Sequence, residues 1–222
     1  MNMRIDPPNL SDAFRYMGLR GEPDPTLLAE TERCEKRLLE AAKPRYVSRV
    51  FDIIRVDSGL RLSGCDFDLE GESIARHLEG CSKAAVIAAT LSTDADRFLK
   101  KAALEDGLSG LVSDALASAY IEQVLERARA EITDSTGMYC TWCFAAGYGD
   151  FPLETVKDLI ICVDAGRRIG LSVTASGMLT PQKSIVAVAG LSEKPLPSRV
   201  KSCSDCNKKE SCAFRRNGSH CG

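Results

Sequence analysis

The chain has 222 residues, ten cysteines, and 29 basic against 31 acidic side chains, for a net charge of −2. That length suits one domain with at most a small appendage, and it can bury a core without covalent staples. The charge balance argues against a broad basic surface for nucleic acid, and no apolar run is long enough for a membrane span.

The N-terminal residues Met1-Asn2-Met3-Arg4-Ile5-Asp6-Pro7-Pro8 lack the apolar stretch of a signal peptide. A cytoplasmic location is therefore expected. There cysteines stay reduced and read as packing residues, metal ligands or redox groups before disulfides. The segment up to Gly21 reads as an irregular lead-in with Phe14, Tyr16 and Met17 as apolar anchors. Asp24-Pro25 gives an N-cap followed by proline at the first helical position. Leu27, Leu28, Thr31, Cys34, Leu38, Leu39 and Ala42 continue at helical spacing until Pro44. Cys34 lies on that stripe and is expected to be a buried small hydrophobe.

Residues 46–56 are rich in Val, Ile, Phe and Tyr and predict a strand. Asp57-Ser58-Gly59 is a turn signal, and residues 60–69 return with alternating polarity, so a hairpin is expected. A phase shift at Gly64 predicts a bulge. Residues 70–78 read as a short helix closed by Gly80. His77 on it has no acidic or cysteine partner at ligand spacing and reads as a surface or half-buried histidine. The apolar run 84–91 predicts a central strand. Ser92-Thr93-Asp94 caps a helix running to Ala103, and a second helical run covers 107–132 with a stripe of small residues. Glu122 is the odd member of that stripe and reads as a solvated flank in preference to a buried carboxylate near a ligand loop.

The stretch 140–154 holds the single tryptophan, Trp142. Gly137, Gly147 and Gly149 permit positive-φ backbone in and around it. Asp150 is placed to cap a helix whose first turn begins at Pro152. A loop ending on a helix N-terminus offers unpaired N–H groups to a carboxylate or phosphate. The competing reading is an ordinary helix–helix connector. Cys140-x2-Cys143 within it is a redox dithiol, half of a metal site, or two unconnected thiols. Leu153, Val156, Leu159, Ile160 and Val163 then mark a helix, 169–174 a strand, 175–181 a loop and 183–191 a last strand. Pro195 and Pro197 end the pattern, so a domain over 1–197 is expected. Strands and helices alternate without regular βαβ units, which favours an α+β fold.

Residues 198–222 are basic and polar and carry Cys203, Cys206, Cys212 and Cys221. Four thiolates so close can enclose one metal, whose binding would supply the folding free energy that so few apolar residues cannot. Zn²⁺ and an iron–sulfur cluster are both compatible with the spacing, and His220 could replace Cys221. The competing reading is a disordered cysteine-rich tail.

The block Gly147-Tyr148-Gly149-Asp150-x-Pro152-Leu153, then Lys157-Asp158, then Arg168-Ile169-Gly170-Leu171-x-Val173-Thr174-x-Ser176, resembles the activation (reactivation) domain of cobalamin-dependent methionine synthase in a stand-alone form. Arg15-Tyr16-Met17-Gly18 and Pro44-Arg45-Tyr46-Val47 fit the same form. The likeness runs from Arg15 to Leu191 and leaves the cysteine-rich tail outside. It implies an α+β fold with a mixed or antiparallel bent sheet and flanking helices. It also implies S-adenosylmethionine as ligand and docking on the cobalamin domain of methionine synthase or another corrinoid methyltransferase. A flavodoxin- or ferredoxin-type donor would supply the electron. By position, Cys143 stands where the family has an arginine clamp on the ligand carboxylate, Ala145 at a backbone contact, and Tyr148 at the tyrosine near the corrin, between Gly147 and Gly149. A thiol is no substitute for a bidentate guanidinium. The family's Thr-Glu-Ser reads Thr174-Ala175-Ser176 here. The expected role is an accessory protein in reductive reactivation. The alternatives are an iron–sulfur protein that passes electrons to a corrinoid protein, and a zinc-stabilised binding module.

Overall fold

The computed structural model describes residues 5–57 and 59–196, together with residue 210. The four tail cysteines Cys203, Cys206, Cys212 and Cys221, and the metal site expected from them, lie outside the described residues. The chain divides into two units, one formed by Met1–Val47, Ala88–Ala128 and Asp164–Ile185, the other by Ser48–Ile87, Arg129–Val163 and Val186–Gly222.

The first unit begins with a helix where the sequence predicted an irregular lead-in. In α1 (Leu10–Tyr16), the Asn9 side chain accepts from the N–H groups of Ser11 and Asp12, which starts the helix, and Ala13 is sealed beneath it. Two long-range bonds hold it: Asn9 N–H donates to Gln123 Oε1 at 2.9 Å, and the Tyr16 hydroxyl to Glu122 Oε1 at 2.7 Å. Burial, and then Glu122, push the Tyr16 hydroxyl well above its ordinary pKa. Glu122 is thus exposed and engaged with Tyr16, as a solvated flank.

α2 (Pro25–Ala41) starts as predicted, with Asp24 accepting from Leu27 N–H and proline in the first turn. Its buried face is Thr31, Cys34 and Leu38. α4 (Thr93–Glu105) and α5 (Gly107–Thr136) complete the helical layer. Here Ser92 does not cap α4 through its hydroxyl; it takes φ +82° and its own N–H bonds the Thr90 hydroxyl. The core of this unit joins Leu38, Leu91, Phe98, Leu116 and Val124 with alanines 95, 102, 115 and 119. The alanines let helix backbones approach closely, which explains the small-residue stripe. Glu30 accepts from Arg33, Ser109 and Cys34, and the guanidinium holds its carboxyl down to about 2.

In the second unit and along the strands that enter it, β1 (Arg45–Val56) pairs antiparallel with β2 (Gly59–Leu62) in the register Ile53 to Leu62 and Val56 to Gly59. The expected bulge at Gly64 is instead a chain reversal. β2 stops at Leu62, Gly64 takes φ +76°, and β3 (Asp68–Leu69) returns antiparallel to β2. α3 (Glu72–His77) follows, then β4 (Lys83–Thr90), in which residues 84–89 have no exposure at all. The strand order is β3-β2-β1-β4-β9-β5, with β6 also on β9. β4 lies between β1 and β9, and its side chains on both faces are buried, which suits an uninterrupted apolar run. β5 is Tyr139–Cys140, β6 is Phe144–Ala145 and β9 is Ser184–Ser192. α6 (Val156–Cys162) precedes α7 (Ala165–Ile169). The strand expected over 169–174 shrinks to β7 (Ser172–Val173), paired with β8 (Leu179–Thr180), because Ile169 ends α7 and Gly170 turns the chain at φ +71°. Among the described residues no helix is long and apolar enough to cross a membrane.

Candidate functional site

Two short strands frame the loop. β5 pairs Cys140 with Leu191, and β6 pairs Phe144 with Val188, both antiparallel to β9. Three residues lie between Cys140 and Phe144 but two between Val188 and Leu191, so the loop side carries one extra residue, a bulge. Thr141 repairs the interrupted ladder. Its N–H donates to the Gly190 carbonyl at 2.9 Å, and its hydroxyl accepts the Gly190 N–H at 2.8 Å. The same hydroxyl donates to the Trp142 carbonyl at 3.1 Å and meets His77 Nε2 at 2.9 Å. One proton and two lone pairs satisfy all three contacts when His77 donates.

His77 is thereby a buried residue, 5% exposed, and not the surface or half-buried histidine expected. It anchors an aromatic group. Its ring lies 4.7 Å from Trp142 and 4.9 Å from Phe144, in edge-on and tilted orientations. Phe144 in turn contacts Phe151 at 6.2 Å. Tyr148, half-buried, presents its edge to Trp142 at 6.2 Å and to Phe144 at 5.8 Å. The signal for His77 was available in the sequence: Ile74, His77 and Leu78 share one helical stripe. Its partner Thr141 lies 64 positions away and carried no signal.

The loop itself is two linked turns. Tyr148 N–H bonds the Ala145 carbonyl at 3.2 Å, Phe151 N–H the Tyr148 carbonyl at 3.0 Å, and Gly147 N–H the Phe151 carbonyl at 2.8 Å. Gly147 at φ +89° and Gly149 at φ +57° make the reversals possible without a Cβ penalty. The donors of residues 147, 148 and 151 are consequently spent inside the loop.

Asp150 also acts elsewhere than expected. It does not cap the helix after Pro152, which opens as a 3₁₀ turn (Leu153–Thr155) with no side-chain cap. Its two carboxylate oxygens accept from Glu72 N–H and Ser73 N–H, both at 2.8 Å, and so cap α3. Gly71 at the start of α3 has no side chain to do this. A Cβ there would meet the Asp150 carbonyl oxygen at 2.8 Å. The Ser73 backbone N–H, more than any other contact, holds the Asp150 carboxyl below the usual aspartate range.

Cys143, at the expected clamp position, is 8% exposed, and Ala145 is a half-buried strand residue. A buried thiol offers a ligand carboxylate neither charge nor a fork of donors. The guanidinium of Arg167, a forked donor, is paired with Asp164 at 2.7 Å. These residues do not fit a carboxylate clamp of the expected kind. Among the described residues no group of three or more His, Cys, Asp or Glu side chains could hold a metal ion.

No protein-family model matches the sequence, and no curated protein matches it. Among solved structures, the chain is similar to a crystal structure of the MetH reactivation domain bound to AdoHcy, with 13% identity and a TM-score of 0.62. The match covers 96% of this chain and 83% of that one. The fold is therefore α+β, an antiparallel sheet with flanking helices, of the MetH reactivation domain type.

Proposed function

We propose that this protein is a cytoplasmic accessory factor for a corrinoid-dependent methyltransferase such as methionine synthase. It docks on the cobalamin domain and assists the reductive return of cobalt to its active state, with electrons from a flavodoxin- or ferredoxin-type donor. The observation that supports this most is the fold likeness to the MetH reactivation domain over 96% of the chain. Tyr148 belongs to this reading as the residue facing the corrin. Its ring makes T-shaped contacts with Trp142 and Phe144, which in turn contact His77. S-adenosylmethionine is the expected ligand of such a domain, but Cys143, at the clamp position, does not fit its carboxylate. Titration against cobalamin-loaded methionine synthase lacking its own activation domain tests the reading. Complex formation with a change in cobalt absorption is expected; absence of both overturns it.

The four tail cysteines favour a second reading, an iron–sulfur protein that passes electrons to a corrinoid partner. Metal analysis of anaerobically purified protein, with its visible spectrum, separates the cases. Iron with visible absorption that bleaches on reduction supports it. Zinc without visible absorption supports a zinc-stabilised binding module instead.

A further inference from the structure

The extra residue between β5 and β6 is held by a hydroxyl. β5 leaves β9 in the register Cys140 to Leu191, and β6 rejoins it at Phe144 to Val188 and Ala145 to Ala187. At the bulge between them, the Gly190 N–H goes to the Thr141 hydroxyl at 2.8 Å. His77 Nε2, from α3, meets the same oxygen at 2.9 Å. The chain around the end of α3 approaches β9 at Gly190, where a Cβ would collide with the Cys81 sulfur and stand 3.1 Å from Leu78. Tyr148 hangs from this register. Its N–H bonds the Ala145 carbonyl at 3.2 Å, and its ring meets Trp142 and Phe144 at 6.2 and 5.8 Å. Those two rings lie 4.7 and 4.9 Å from the His77 ring. A slip of β6 by one residue would exchange the faces of Phe144 and Ala145 and carry Tyr148 with them.

We propose that Thr141 and His77 are positioning residues for Tyr148: the hydroxyl fixes the bulge, and the imidazole fixes the hydroxyl. The role of Tyr148 itself rests on the corrinoid reading; its placement does not. The Thr141 hydroxyl gives its proton to the Trp142 carbonyl and takes the N–H of Gly190 and of His77. It is thus held from two sides, β9 and α3, and each side can be removed by itself. Thr141→Val keeps the shape and leaves the Gly190 N–H without its acceptor. His77→Phe keeps a ring against Trp142 and Phe144 and removes the donor. Thr141→Ser keeps the hydroxyl.

Fluorine NMR of fluorotyrosine-labelled protein reads the placement without any partner. The line absent from Tyr148→Phe belongs to Tyr148. It is expected to move or split in Thr141→Val and in His77→Phe and to hold its wild-type position in Thr141→Ser. The tyrosines of the first unit, Tyr16, Tyr46 and Tyr120, should keep their lines throughout. Where one variant fails to fold, the other decides alone. A Tyr148 line that stays in place in a folded Thr141→Val or His77→Phe overturns the proposal. So does a line that moves as far in Thr141→Ser, movement of the first-unit lines as well, or failure of both variants to fold.

Reactivation of cobalamin-loaded methionine synthase lacking its own activation domain tests the consequence. Thr141→Val should lower the maximal rate about tenfold and change the half-saturating concentration less than about twofold. Tyr148→Phe added to it should lower the rate by less than about twofold more, because both act through one group. Full rate in Thr141→Val, or losses that multiply, overturn the positioning role and leave the corrinoid reading intact. A wild type that reactivates nothing overturns the corrinoid reading, and the fluorine lines then decide the placement.

Discussion

Asp150→Ala isolates the contact that ties the candidate loop to α3. The substitution removes both acceptors for Glu72 N–H and Ser73 N–H and leaves α3 without a side-chain cap, since Gly71 cannot supply one. Replacing an N-cap acceptor costs about 0.5–2 kcal/mol. Two charge-assisted bonds argue for the upper half of that range and solvent screening of an exposed carboxylate for less, so about 1–1.5 kcal/mol is expected. Asp150→Asn keeps one carbonyl acceptor and should recover about half of the loss. Urea unfolding followed by fluorescence reports it directly, because the single tryptophan, Trp142, lies in the same unit. The carboxyl is lowered in the fold, so its contribution is present above the unfolded value of about 3.9 and fades only as pH falls through the folded value. The gap between wild type and Asp150→Ala should be constant from about pH 7 to pH 5 and shrink only below about pH 4. A gap under about 0.3 kcal/mol, or one that closes between pH 7 and pH 5, refutes the capping role.

Other substitutions test the neighbouring residues. Tyr148→Phe keeps the ring contacts with Trp142 and Phe144 and should change stability by under about 0.5 kcal/mol while impairing reactivation; unchanged stability with unchanged reactivation removes Tyr148 from the site. Cys143→Ala should alter S-adenosylmethionine affinity in calorimetry by less than about twofold, since the side chain is buried; a tenfold loss, about 1.4 kcal/mol, would restore Cys143 as a ligand contact. Gly190→Ala would drive a Cβ into the Cys81 sulfur and to 3.1 Å from Leu78, and should cost about 1–3 kcal/mol. The same change in a Cys81→Ala background should recover part of that in thermal unfolding, and equal loss in both backgrounds would place the strain elsewhere.

The sequence by itself determined those features that depend on neighbours in the chain. Asp24-Pro25 starts α2 whatever lies beyond it, because the cap and the proline act within one turn. The unbroken apolar run of β4 announces burial on both faces, and the paired Gly147 and Gly149 announce reversals. The ordered blocks around Tyr148 pointed to the same fold type that the solved structure of the MetH reactivation domain shows. What only the tertiary structure decided is where polar side chains spend their bonds. Asp150 sits in register to cap the helix after Pro152, yet it caps α3, because a distant glycine-started helix presents two N–H groups at bonding distance. Asn9 shows the same limit from the other side, for its helix is too short to stand on propensity and is held by Gln123 and Glu122. His77 and Thr141 are a pair that periodicity cannot see. Their contact joins residues whose proximity is set by strand register and helix packing, and those are long-range properties that no local pattern encodes.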